Sequence, residues 1–157
     1  MSEIVLRDYR PTDLDVMFQL DQECFSAEFR FDRESMQTFA EEQGAVVRVA
    51  EISGAEIVGF VIVHVEYAEK EWHGYIVTLD VAEKHRRRGI ARRLMEQAEL
   101  RLSTMGARLM DLHVFTGNDS AIHFYEGMGY KRIAARRRFY GKAGLDAFVY
   151  RKELDLL

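Results

Sequence analysis

Alternation of apolar and polar residues opens the chain, and Ile4 to Tyr9 predicts a first strand on that pattern. Thr12 is a suitable helix N-cap, with Asp13 and Asp15 favourable in the first turn, so a helix is expected to run to about Phe25. Beyond the loop Ser26 to Phe31, Asp32 is a second N-cap and predicts a helix through roughly Glu42. Gly44 then interrupts the pattern. Val46 to Ile52, the turn Ser53-Gly54 and Ile57 to Tyr67 have the character of a hairpin. Trp72 to Val81 predicts another strand, with Tyr75, Val77, Leu79 and Val81 on one face. From Ile90 to about Met105, Ile90, Leu94, Ala98 and Leu102 recur at four-residue spacing, the stripe of a helix that Gly106 closes. A strand follows over Leu109 to Phe115, then a short helix over Asn118 to Glu126 ended by Gly127 and Gly129. Two last strands are expected near Tyr130 to Arg137 and Asp146 to Glu153.

The order β-α-α-β-β-β-α-β-α-β-β predicts an α/β fold with a mixed α+β sheet. That sheet is mainly antiparallel, with one parallel crossover from Trp72–Val81 to Leu109–Phe115. No repeat, linker or low-complexity stretch divides the 157 residues, so one domain over 1–157 is expected. With 48% hydrophobic and 31% charged residues the chain suits a packed core rather than disorder. Cys24 is the only cysteine, on a stripe with Leu14, Met17 and Phe25, which predicts a buried thiol. The lone cysteine and the lack of a charged-then-apolar leader favour a cytoplasmic protein. No apolar run reaches the roughly 18–20 residues that a membrane helix needs, so no membrane partner is expected.

The net charge is −4, yet Lys84 to Arg88 with Arg92 and Arg93 form one basic cluster and Arg136-Arg137-Arg138 another. A local basic patch on an acidic protein fits a compact polyanion better than nucleic acid. The first cluster lies where a strand ending in Leu79-Asp80-Val81 turns through Gly89 into a long helix. A helix start leaves N–H groups unpaired and carries partial positive charge, so it is suited to an anion. A solvated basic turn accounts for the same residues without a ligand.

The stretch Arg86-x-x-Gly89-x-Ala91 resembles the acetyl-CoA loop of the GNAT N-acetyltransferase superfamily, whose pattern is Gln/Arg-x-x-Gly-x-Gly/Ala. A second block, Asn118-Asp119-Ser120-Ala121-Ile122-His123-Phe124-Tyr125-Glu126-Gly127-Met128-Gly129-Tyr130, is similar to that superfamily's Asn-x-x-Ala-x-x-x-Tyr-x-x-x-Gly-Phe/Tyr signature. The two motifs stand in order on the expected strand–helix–strand–helix frame, and the likeness is clearest from about Tyr75 to Tyr150. Within the superfamily the chain resembles protein N-alpha-acetyltransferases, including the ribosomal-protein alanine acetyltransferases and their archaeal and eukaryotic relatives. Tyr75-Ile76-Val77-Thr78-Leu79, Leu112-His113-Val114 and Arg137-Arg138-Phe139-Tyr140 carry that likeness.

The resemblance implies acetyl-CoA as donor and an α-amine of a peptide or protein as acceptor, by direct transfer in a ternary complex without metal or acyl-enzyme. It implies that backbone groups of Leu79, Asp80 and Val81 hold the pantetheine arm. Arg86, Arg87, Arg88, Gly89, Ile90, Ala91 and Arg92 would hold the pyrophosphate, and Asn118, Ser120 and Tyr125 would line the thioester end. Tyr125 is the expected proton donor to the departing thiolate. His113 and Tyr75 match positions that supply a base, directly or through water, and a histidine has a suitable pKa for that work. Phe25, Phe29, Phe139 and Tyr140 match aromatics that grip the acceptor. Ser26 stands where relatives commonly have proline, and Phe139-Tyr140 replaces the more frequent Tyr-Tyr, so acceptor preference does not transfer. A lysine side chain or small amine as acceptor, or an acyl-CoA-sensing module without turnover, stays open. A monomer or homodimer is expected.

Overall fold

A computed structural model describes residues 3–54, 56–141 and 144–155. Among the described residues, seven strands and four α-helices follow the predicted order. They are β1 (Ile4–Asp8), α1 (Leu14–Cys24), α2 (Arg33–Ala40), β2 (Val46–Ile52), β3 (Glu56–Ala68), β4 (Glu71–Val81), α3 (Ile90–Thr104), β5 (Leu109–Phe115), α4 (Asp119–Gly127), β6 (Lys131–Tyr140) and β7 (Leu145–Glu153). One sheet takes them in the order β1-β2-β3-β4-β5-β7-β6. All neighbours are antiparallel except β4 and β5, the expected crossover through α3. Among the described residues no helix is long and apolar enough to cross a membrane.

The sheet is covered on both faces. Ile90, Leu94, Ala98 and Leu102 of α3 are all buried against one face, together with Met95 and part of α4. Each fully buried leucine contributes about 1.5–3 kcal/mol, so this stripe is a principal anchor of α3. Leu14, Met17 and Leu20 of α1 and Met36 and Ala40 of α2 cover the other face, against Phe60 and Ile62.

Two expectations need correction. Thr12 does not cap the first helix, because Pro11–Asp13 forms a 3-10 turn ahead of α1. Asp13 does the capping there: its carboxylate accepts the Arg10 N–H at 2.7 Å and both Arg7 terminal nitrogens at 2.8 Å. Nor do Tyr75, Val77, Leu79 and Val81 share a face. The β3–β4 register passes from Val63 opposite Ile76 to Ile62 opposite Thr78, so Val77 is an extra residue. Such a bulge reverses alternation beyond it. Ile76 and Leu79 therefore pack toward α3, while Val77 packs with α1 and α2.

Candidate active site

β4 and β5 pair only from His73 opposite Leu109 to Ile76 opposite Leu112. Beyond the Val77 bulge they part, while each keeps its partner on the far side: β4 with β3, and β5 with β7. The facing edges of Val77–Val81 and His113–Phe115 thus line a cleft in which main-chain groups have no ladder. Buried main-chain N–H and C=O groups need partners, and an extended ligand with amides supplies them.

Tyr75 and His113 meet where the strands part. Tyr75 Oη lies 2.8 Å from His113 Nδ1, a hydrogen bond whose donor depends on the histidine tautomer. Phe139 stacks on the His113 ring, with centroids 4.0 Å apart and planes within 6°. Burial, then the nearby charge of Arg136, hold the His113 pKa below its usual value, against the opposing pull of Asp111. Asp111 is itself gripped by Arg151 through contacts of 2.7 and 3.0 Å. The ring is consequently neutral at physiological pH, with a lone pair to offer. Burial pushes the Tyr75 phenol upward, so it keeps its proton.

Phe139 reaches His113 because β6 bulges. Arg136 pairs with Ala147 and Tyr140 with Leu145, leaving three β6 residues opposite Asp146 alone. Within that bulge Arg138 is left-handed, at φ +51°, and its N–H donates to the Asp146 carboxylate at 2.9 Å. Tyr140 turns to the same wall. Its ring meets Phe29 edge-on at 4.8 Å, and Phe29 also packs on Phe115 at 5.1 Å. Burial pushes the Tyr140 phenol up to about 12. Phe29, Phe115, Phe139 and Tyr140 thus form one aromatic group beside His113, where the α1–α2 loop meets the ends of β5 and β6. Phe115 is a member that sequence reasoning missed, although its alternation with His113 placed it on the same face. Phe25 is the half-buried cap of α1, outside this group.

At the other end, Gly89 precedes α3 with φ +77° and Arg87 has φ +65°. Left-handed residues in such a turn curl successive N–H groups toward one point. A Cβ on Gly89 would meet nothing within 4 Å, so the glycine is needed for its backbone conformation and leaves an open approach. Arg86 is fixed by a 3.1 Å bond from Nε to the Val81 carbonyl, and Arg88 by a 3.0 Å contact with His85. Arg86, Arg87, Arg88 and Arg92 are exposed, whereas the Ile90 side chain is 2% exposed and belongs to the core, leaving its N–H for the loop. Ala91 is half-buried against the core.

Asn118 caps α4, its side-chain oxygen accepting the Ala121 N–H at 3.1 Å, and Ser120 is exposed in the first turn. Tyr125 packs between Phe124 and Tyr130 with centroids 5.2 and 5.8 Å away. Burial, then the charge of Asp80, then Tyr140 push its phenol upward, so it remains protonated.

A family model described as the acetyltransferase (GNAT) family matches residues 14–130. The chain belongs to the GNAT acetyltransferase family. The family resemblance carried by the two motifs is thereby established across most of the chain. The chain is 35% identical over 113 residues to the N-terminal acetyltransferase B complex catalytic subunit naa20 of Schizosaccharomyces pombe, covering 70% of this chain and 63% of that protein. It is 36% identical over 108 residues to the N-terminal acetyltransferase A complex catalytic subunit NAA10 of Arabidopsis thaliana, covering 68% and 56%. It therefore spans less than two thirds of these curated relatives. Among solved structures, Arabidopsis thaliana NAA60 in complex with a bisubstrate analogue superimposes with TM-score 0.84 at 25% identity, covering 98% of this chain and 99% of that one. The ribosomal-protein-S18-alanine N-acetyltransferase from Escherichia coli shares the fold, with TM-score 0.85 at 20% identity over 99% and 96%.

Proposed function

We propose that this GNAT protein moves the acetyl group of acetyl-CoA to the N-terminal α-amine of a protein or peptide, by direct transfer in a ternary complex. The observation that carries the proposal is the Tyr75–His113 hydrogen bond at the mouth of the β4–β5 cleft. The curated relatives named as N-terminal acetyltransferase catalytic subunits support the same acceptor.

The cleft fits the donor by its own features. Its unladdered edge at Leu79–Val81 suits the amides of pantetheine, and the curled loop from Arg86 to Arg92 suits a pyrophosphate. One main-chain acceptor is not free for this: Val81 O already receives Arg86 Nε and the Cys24 thiol. Asn118, Ser120 and Tyr125 of α4 are assigned to the thioester end. When bound, acetyl-CoA supplies the activated acyl group.

The chain's residues then handle protons. With Nδ1 protonated and donating to Tyr75 Oη, His113 Nε2 carries the lone pair and the Tyr75 O–H is free to hold a water. An α-amine has a pKa of about 7.7–8.0, so passing its proton to a histidine at or below about 6.5 costs at least about 1.6 kcal/mol. That is below the roughly 2.7 kcal/mol or more by which general-base catalysis, about 100-fold or greater, lowers a barrier. Tyr125 keeps its proton on Oη and offers it to the leaving sulfur. The aromatic group of Phe29, Phe139 and Tyr140, with Phe25 at the loop entrance, grips the acceptor.

We place the protein in the cytoplasm, acting as monomer or homodimer; the lone Cys24 supports the first. The test of the acceptor is a panel of peptides with free N-termini, N-blocked lysine peptides, polyamines and aminoglycosides, assayed by release of CoA. Free N-terminal peptides should give the highest kcat/KM. Equal or better turnover of a blocked lysine peptide or a small amine would sink the proposal.

A further inference from the structure

Beneath the cleft, between α1 and β4, lie two acidic side chains that the chemistry above does not use. Asp21 is fully buried and Asp80 is 1% exposed. One oxygen of each is engaged. Asp21 Oδ2 accepts the Phe31 N–H at 2.8 Å, and Asp80 Oδ1 accepts the Thr78 hydroxyl at 2.5 Å. The other oxygen of each, Asp21 Oδ1 and Asp80 Oδ2, is sealed from solvent without a donor. Cys24, one helical turn beyond Asp21, reaches Val81 O at 3.4 Å, so α1 sets the Asp21 carboxyl against its neighbour Asp80.

Neither orphan oxygen can satisfy the other while both groups are ionised, and two like charges in contact away from water repel strongly. A single proton resolves both problems, because a carboxylic acid donates to a carboxylate in a short, strong bond. The surroundings supply little else. Cys24, from α1, gives its thiol to Val81 O, and its own pKa is pushed up to about 11 by burial and then by Asp80. Arg86, from the phosphate loop, is the cation that acts on Asp80, and it is bound to Val81 O. Tyr125, from α4, faces the pair's charge as a protonated phenol.

We propose that Asp21 and Asp80 share one proton, and that this bond is a clamp fixing the α1–α2 loop to the donor strand β4. The connection is direct. Asp21 holds Phe31, which closes the loop carrying Phe25 and Phe29, while Asp80 sits among Thr78–Val81 on the edge of the cleft. Asp21 and Asp80 are positioning residues: they set the spacing between the acceptor wall and the donor strand. The effect on acceptor binding rests on the function proposed above, but the shared proton does not.

The sign of the pH dependence follows from linkage. Burial, then Asp21, hold the Asp80 pKa well above the usual carboxylate range. A group raised in the folded state gives stability that is full below its unfolded pKa, near 3.9, and lost as pH rises through the folded value. The pair's contribution to wild-type stability should therefore fall as pH rises, and the peptide KM should rise with it as the clamp opens.

Asp21→Asn is the informative variant, since its oxygen can still take the Phe31 N–H while its NH2 donates to Asp80 at every pH. Asp21→Ala removes the clamp. Full-length wild type and both variants are compared by melting temperature across about pH 5 to 9, by KM for a free N-terminal peptide, and by acetyl-CoA affinity. Asp21→Asn should flatten the fall of melting temperature with pH and keep the peptide KM within about twofold of the neutral wild-type value throughout. Asp21→Ala should raise the peptide KM about tenfold while shifting acetyl-CoA affinity by less than about twofold. Infrared spectra should show a protonated-carboxyl carbonyl band at neutral pH in the wild type that Asp21→Asn lacks. Identical melting profiles for wild type and Asp21→Asn would overturn the shared proton. An unchanged peptide KM in Asp21→Ala would overturn the clamp. Absence of peptide turnover by the wild type would sink the acceptor assignment instead, and the melting and infrared results would still decide the proton.

Discussion

At the scale of single residues, the proposed reacting pair, Tyr75 and His113, is joined by one short hydrogen bond and covered by one stacked ring. Replacing His113 by Ala should lower kcat about 100-fold, the usual reach of a positioned base, while acetyl-CoA affinity stays close to wild type. Tyr75→Phe should lower kcat in the same direction, since it removes the hydroxyl 2.8 Å from Nδ1. Steady-state kinetics beside calorimetric acetyl-CoA titration checks both, and equal losses of turnover and affinity would remove them from the catalytic set. Arg136 tests the electrostatics. Its charge helps to hold the His113 pKa down, so Arg136→Ala should raise that pKa. Because the ring must be neutral to accept a proton, the acid limb of the kcat–pH profile should move to higher pH. A limb that stays put, or moves down, would contradict the assigned base. Motif position singled out His113 and Tyr75 together in the sequence, and the structure brings the two side chains into contact. Asp21 was not, although its place on the apolar stripe of α1, between Leu20 and Cys24, was the available signal.

At the scale of elements, the site depends on local departures from regular structure. The Val77 bulge reverses β4 so that Leu79 faces α3, and it lies at the point where β4 parts from β5. The β6 bulge brings Phe139 onto His113. Neither bulge has a composition signal, because an extra residue in a ladder is defined by its partner strand. This is why the alternation of Tyr75, Val77, Leu79 and Val81 misled, whereas the four-residue stripe of α3, a property of one segment, held. Gly59 gives a test at this scale. A Cβ there would lie 2.9 Å from the Asp80 carbonyl and 3.4 Å from both Ile90 and Leu94, with main chain as the nearest obstacle. Gly59→Ala should therefore cost about 1–3 kcal/mol and lower the Tm by several degrees in calorimetric melting. An unchanged Tm would mean that β3 and β4 can separate there at no cost.

At the scale of the whole molecule, α3 carries the crossover that makes β4 and β5 parallel, and the same helix presents its N-terminus to the loop Arg86–Gly89. One continuous sheet thus joins the proposed anion loop, the cleft and the proposed reacting pair. The element order was legible because each helix carries its own stripe and each strand its own alternation. Strand order in the sheet, with β7 between β5 and β6, was not, since it depends on pairing between distant segments. The acceptor class is the claim on which the account turns, and mass-spectrometric mapping of acetyl groups tests it most directly. The full chain is incubated with acetyl-CoA and a library of peptides that carry both a free N-terminus and an internal lysine. The account predicts acetyl groups on α-amines, lost in His113→Ala. Acetylation confined to lysine side chains, or α-amine products unchanged in His113→Ala, would contradict it.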